Sequence, residues 1–171
     1  MKTKTIINIL IIILVFAGLF VWGYFAKKSD TASVQGVGDA NNSESLLTIS
    51  EASYDFGAIS MKDGNVSKEF TITNPTGEAI TLKTVLTSCM CTSAFIVNPD
   101  GSTKGPFGMA GMGYAPPVNE IIKAGESRVV RAVFDPNAHG PAGVGRIDRF
   151  ITLTDASGGA LQLEIKALVT P

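Results

Sequence analysis

Leu161-Gln162-Leu163-Glu164-Ile165-Lys166-Ala167-Leu168-Val169 decides the fold class. Leu161, Leu163, Ile165, Ala167 and Val169 fall on one face, and Gln162, Glu164 and Lys166 on the other. Side chains of a strand alternate between faces with a period of two, so this stretch reads as a half-buried strand. The same period recurs upstream. In Arg146–Thr154, Ile147, Ile151 and Leu153 share a face. In Arg128–Phe134, Val130, Ala132 and Phe134 oppose Arg131. Phe70 and Ile72 oppose Glu69, Thr71 and Thr73. In Ala79–Leu86 the expected inner face is Ile80, Leu82 and Leu86.

Turn chemistry separates these runs. Asn74-Pro75-Thr76-Gly77 combines a fixed φ at Pro with a permissive Gly. Asp135-Pro136 stops the Arg128–Phe134 run, and Asp155–Gly159 is a loop. Shorter strand candidates are Leu46–Ser50, Tyr54–Ile59, Ala94–Val97 and Glu120–Ile122. Seven to nine short strands with one-sided alternation predict an all-β antiparallel sandwich.

Charge and composition narrow the function classes. The 171 residues carry 14 Lys+Arg against 15 Asp+Glu, a formal net charge of −1. That balance excludes a polybasic nucleic-acid binder. Two cysteines and one histidine exclude a disulfide-rich miniprotein and a His-cluster metal centre.

Much of the 45% hydrophobic content lies at the start. Residues 6–26 read IINILIIILVFAGLFVWGYFA, without a charge. At 1.5 Å per residue such a helix spans ~30 Å, the thickness of a bilayer's hydrocarbon core. A cleaved signal peptide has an apolar core of only ~7–15 residues followed by a small-x-small site. The longer run, ending at Lys27-Lys28, favours an uncleaved anchor over residues 1–28. Lys2 and Lys4 precede the span, which favours a cytoplasmic N-terminus and an extracytoplasmic C-terminal domain, periplasmic or extracellular. Residues 29–45 are rich in Ser, Asp, Asn and Gly and read as a flexible linker. The globular domain is then 46–171, with a Gly/Pro/Met-rich insertion at 99–118.

Five motifs stand in order along that domain: Tyr54-Asp55-Phe56-Gly57, Phe70 through Gly77, Thr87-Ser88-Cys89-Met90-Cys91-Thr92, Ala124-Gly125-Glu126-Ser127, and Val133-Phe134-Asp135-Pro136. Their order resembles the bacterial DUF1573 family over most of residues 50–170. Met90 and Ala124 stand where that family has Gly and Pro. The resemblance implies an immunoglobulin-like sandwich related to the ASH and major-sperm-protein modules. It implies a non-enzymatic module for protein–protein interaction or envelope scaffolding, which the N-terminal hydrophobic run would hold to the membrane as a helix.

Cys89-Met90-Cys91 is the motif with the most chemical potential. In an extended strand, residues two apart have Cα atoms ~6.5–7 Å apart, at the limit for a disulfide, so a bonded pair needs a turn. Four readings stay open here: structural cysteines, a thiol-redox or disulfide pair, a soft-metal site, and a catalytic nucleophile. Met109 and Met112, three apart between glycines, carry thioethers suited to Cu(I). Cys89, Cys91, Met109 and Met112 are therefore the candidate metal ligands, with His139 as a further nitrogen. No other cofactor is expected. A cysteine transpeptidase needs Cys, a base and usually an Arg. In sortases, which such a combination resembles, the His precedes the Cys, whereas His139 follows Cys91, and the expectation is no enzyme. Arg146 and Arg149 are expected to flank a strand.

Overall fold

The computed structural model describes residues 44–112 and 117–171. The proposed anchor, nearly all of the linker, and residues 113–116 of the 99–118 segment lie outside the described residues. Among the described residues no helix is long and apolar enough to cross a membrane.

Among the described residues ten strands form two five-stranded sheets. In spatial order the first sheet is β1 (Thr48–Ile49), β3 (Val66–Thr73), β8 (Ser127–Phe134), β5 (Thr92–Val97) and β6 (Thr103–Phe107). The second is β2 (Ser53–Ser60), β10 (Ala160–Thr170), β9 (Gly145–Asp155), β4 (Ile80–Thr87) and β7 (Glu120–Ile122). The inner faces of both meet in one core. Phe70, Ile72, Val130 and Ile96 come from the first sheet, and Leu82, Ile151, Leu163 and Ile165 from the second. Each is buried to 1% exposure or less. Burying a side chain of this size stabilises by about 1.5–3 kcal/mol, so the alternating faces supply most of the drive for the two sheets to pack.

The alternation in β3, β8, β9 and β10 is as the sequence predicts. Three expectations are corrected. Ten strands form instead of seven to nine. The sandwich is mixed rather than antiparallel throughout, because β2 pairs with β10 in parallel, Tyr54 opposite Ile165. These strands lie at opposite ends of the domain, so no hairpin fixes their relative direction. In β4 the phase slips. Leu82 is opposite Asp155 and Thr84 opposite Thr154, so Lys83 is the extra residue of a β-bulge. Beyond it Val85 and Thr87 are buried, and Leu86 is half-buried on the other face. The 99–118 segment, whose conformation the sequence leaves open, is partly regular. Thr103–Phe107 forms β6, paired with β5, and Phe107 is buried. Pro106 is tolerated because β6 is an edge strand.

Two polar arrangements lock the elements together. Asn74 is fully buried in the turn between β3 and β4. Its Nδ2 donates to the carbonyls of Glu78 and Ile122, at 2.7 and 2.9 Å. Its Oδ1 accepts from the Thr76 N–H and hydroxyl, at 3.0 and 2.7 Å. Its backbone bonds Glu126 and Gly125, joining this turn to the one between β7 and β8. Separately, Glu120 on β7 accepts from Lys104 on β6 and Arg128 on β8, at 2.6 and 2.8 Å. That cluster ties the two sheets at one point.

Candidate functional site

The Cys89-Met90-Cys91 segment leaves β4 and enters β5 through a tight turn. The Thr92 N–H donates to the Cys89 carbonyl at 3.1 Å, placing Met90 and Cys91 at the two central positions. Neither has a positive φ, so no glycine is required at Met90. The turn brings the two Cα atoms to 5.2 Å, well inside disulfide range. The sulfurs are in bonding contact, and neither cysteine is free.

Hydrogen bonds fix the turn on three sides. The Thr87 hydroxyl donates to the Cys89 carbonyl at 3.0 Å. Ser88 pairs with Phe150 on β9, donating from its N–H and accepting on its hydroxyl, both at 2.9 Å. The Asp135 N–H donates to the Cys91 carbonyl at 2.9 Å.

That last contact brings in the chain after β8. The Asp135 carboxylate accepts from the Asn137 N–H at 2.8 Å, closing an Asx turn. Asn137 Nδ2 donates to the Met61 carbonyl at 2.7 Å. The turn sets exposed His139 beside the cysteines, with Nε2 3.1 Å from Cys89 Sγ. From the other side, Arg149 Nε donates to Cys91 Sγ at 3.2 Å. Arg149 has the same parity on β9 as buried Ile147 and Ile151, so its side chain turns inward. It does not merely flank the strand, and the alternation of 147, 149 and 151 was the signal that could have located it. Arg146 lines a shallow groove of about 260 Å3 with Asp55, Asp148 and Lys166.

Of the four candidate metal ligands, Cys89 and Cys91 are together. Met109 approaches through its backbone: Thr87 and Met109 form a bridge, and the Thr87 N–H donates to the Gly108 carbonyl at 3.1 Å. Met112 follows one turn later. Met90, Met109 and Met112 are exposed, at 52%, 39% and 59%. Among the His, Cys, Asp and Glu side chains of the described residues, the two sulfurs and a His139 ring nitrogen converge, all within 4.8 Å of one another. A metal is ligated by thiolates, and sulfurs bonded to each other are not thiolates, so metal binding would require the pair reduced. What the oxidised arrangement can do directly is exchange the disulfide.

Residues 47–100 match the family described as "Protein of unknown function (DUF1573)". The matched DUF1573 stretch runs from β1 to the end of β5 and contains the C-x-C turn. His139 and Arg149 lie beyond it. No curated protein matches the chain. A protein of unknown function from Porphyromonas gingivalis W83 is similar in structure, with 16% identity and a TM-score of 0.51, over 74% of this chain and 47% of that one. The chain thus spans about half the length of that protein. The ASH/PapD-like domain 7 of human CEP192 aligns at 12% identity and a TM-score of 0.47, over 81% of this chain and 96% of that domain. The periplasmic chaperone SfaE aligns at 13% identity and a TM-score of 0.38, over 73% and 57%. At 16% identity the likeness to the Porphyromonas gingivalis protein concerns the fold alone.

Proposed function

We propose that this chain is a non-enzymatic immunoglobulin-like module, anchored in the membrane by its N-terminal segment, that binds a protein partner outside the cytoplasm. The observation that supports it is the trio Met90, Met109 and Met112. All three are exposed, on two segments hydrogen-bonded to each other at Thr87 and Gly108. Methionine is unbranched and polarisable, adapts to irregular partner surfaces, and is enriched at protein interfaces. Three exposed thioethers around one turn leave apolar surface that a partner would cover.

A photo-crosslinking residue at Met90 or Met112, introduced in cells of the native host, tests this reading. Ile121 is the control position: it is 55% exposed on β7, which pairs with the end of β4 remote from Thr87. Adducts of one defined protein from the Met positions, absent from Ile121, are expected. Equal labelling at all positions, or none, overturns it. Protease accessibility of the domain in intact spheroplasts tests the extracytoplasmic placement.

A second reading is thiol–disulfide exchange at Cys89–Cys91. His139 against one sulfur and Arg149 against the other favour it. Cationic and imidazole neighbours favour a thiolate, the species that attacks and leaves in exchange. Cu(I) binding by the reduced pair is the related alternative, with the His139 ring nitrogen within 4.8 Å of both sulfurs and Met109 and Met112 on the neighbouring segment.

A further inference from the structure

The two sulfurs of the pair are not equivalent. Cys91 is 3% exposed and belongs to the core. Its Sγ faces Arg149 Nε at 3.2 Å and the Thr92 hydroxyl at 3.8 Å. Cys89 is only partly buried, and its Sγ faces exposed His139. Cys89 is the less buried of the two and lies on the side of exposed His139, so an incoming group approaches it more readily than Cys91, while a charge left on Cys91 meets a guanidinium.

We propose that Cys89–Cys91 is a directional disulfide donor, attacked at Cys89 Sγ by a cysteine thiol of a partner protein, with Cys91 as the leaving group. The proposal rests on the thiol–disulfide reading above. In the first step the partner thiol gives its proton to the His139 ring nitrogen, and its sulfur bonds to Cys89 Sγ. The Cys89–Cys91 bond breaks, and Cys91 leaves as a thiolate beside Arg149. In the second step another thiol of the partner attacks the partner sulfur of the mixed disulfide, and Cys89 leaves. Two partner thiols become one disulfide, losing two electrons. The Cys89–Cys91 disulfide takes up both electrons and two protons to become a dithiol. Each chain delivers one disulfide and must be reoxidised by another disulfide, so the role is stoichiometric. Access decides which sulfur is attacked, and stabilisation of the departing thiolate speeds the step. Exposed Met90, beside Cys89 in sequence, and exposed Met109 and Met112, on the segment bridged to Thr87, suit a partner cysteine set among apolar residues.

The test uses the oxidised full-length chain in mild detergent, opened with reduced glutathione, quenched in acid, alkylated and sequenced by tandem mass spectrometry. Glutathione is expected on Cys89 and the alkyl group on Cys91, by at least about tenfold over the reverse. Glutathione on Cys91, or an even split, overturns the direction of attack while leaving the exchange reading standing. A folded chain that glutathione does not open, although the urea-unfolded chain exchanges freely, overturns both. Single-cysteine variants give a check independent of the wild-type pair. Cys91→Ser is expected to form a mixed disulfide with oxidised glutathione about tenfold faster than Cys89→Ser, and equal rates overturn the assignment. Arg149→Met is expected to slow opening of the wild-type disulfide about tenfold, with Arg149→Lys recovering part of the rate. An Arg149 that served packing alone would lower thermal stability and leave that rate unchanged.

Discussion

Arg149 Nε lies 3.2 Å from Cys91 Sγ, although the two residues are 58 positions apart. The contact joins β9 of one sheet to the turn that opens β5 of the other. It places a permanent positive charge against a nearly buried sulfur, and the fold reaches that charge by using an inward position of β9 that would otherwise hold an apolar side chain.

The disulfide itself closes a loop of only three residues, so its effect on the unfolded chain is small. Loop-closure entropy for so short a ring gives about 1–2 kcal/mol. Reduction is therefore expected to lower stability by that amount and leave the sandwich folded. Denaturant unfolding with and without reductant checks this; loss of the cooperative transition in reductant would show that the bond holds the fold together.

Glu120 is 6% exposed and Arg128 9%, so this pair is buried. Removing one partner of such a pair leaves the other's charge uncompensated. Glu120→Gln is expected to destabilise by about 2–4 kcal/mol, tempered because Arg128 also donates to Glu126 and to the Ile121 carbonyl. Urea midpoints of the variant and the parent measure it.

The same carboxylates set the acid limit. Burial alone would raise the Glu120 carboxyl, but Lys104 and Arg128 outweigh it and hold it below its ordinary 4.5. Burial would likewise raise Asp155, but hydrogen bonds from Ser157, Ser45 and the Gly159 N–H hold it below 3.8. A carboxyl depressed in the folded state stabilises fully above its unfolded value, and that contribution is lost as pH falls through the folded value. Stability is expected to be flat from neutral pH down to about 5 and to fall progressively below 4.5. Glu120→Gln should flatten the upper part of that fall. A parent whose urea midpoint does not change between pH 5 and 3 would contradict the assignment.

Asn74 satisfies two turns at once. Asn74→Ala strands the buried Ile122 carbonyl, at about 1–3 kcal/mol, and the half-buried Thr76 N–H, at less. A total loss of about 2–4 kcal/mol is expected by thermal or urea unfolding. Asn74→Asp keeps the acceptor side only and should fall between the two.

Along β10, Leu163 is fully buried and Leu168 is 42% exposed. Leu163→Ala is expected to cost about 3 kcal/mol, whereas Leu168→Ala should stay within about 0.5 kcal/mol. Comparable losses at both positions would mean that the strand's faces are assigned wrongly.

The period-two alternation of Leu161–Val169 and of the β3, β8 and β9 stretches determined by itself that this domain is built of strands and which of their faces are buried, because side-chain direction in a strand depends only on local parity. The turn residues likewise marked Asn74–Gly77 and Asp155–Gly159. The bulge at Lys83 was not legible, because it exists only in the register of β4 against β9. The strand at Thr103–Phe107 was hidden by Gly105 and Pro106, which the edge position of β6 accommodates. The cysteine pair was visible as two sulfurs in one motif. Of its surroundings only the candidate nitrogen of His139 was named; how it arrives was not legible, since His139 reaches Cys89 through a turn anchored on Met61, and Arg149, expected only to flank a strand, reaches Cys91 from the opposite sheet. Local parity fixes which way a side chain points, but which distant residue it meets depends on how the two sheets pack, and only the tertiary structure decides that.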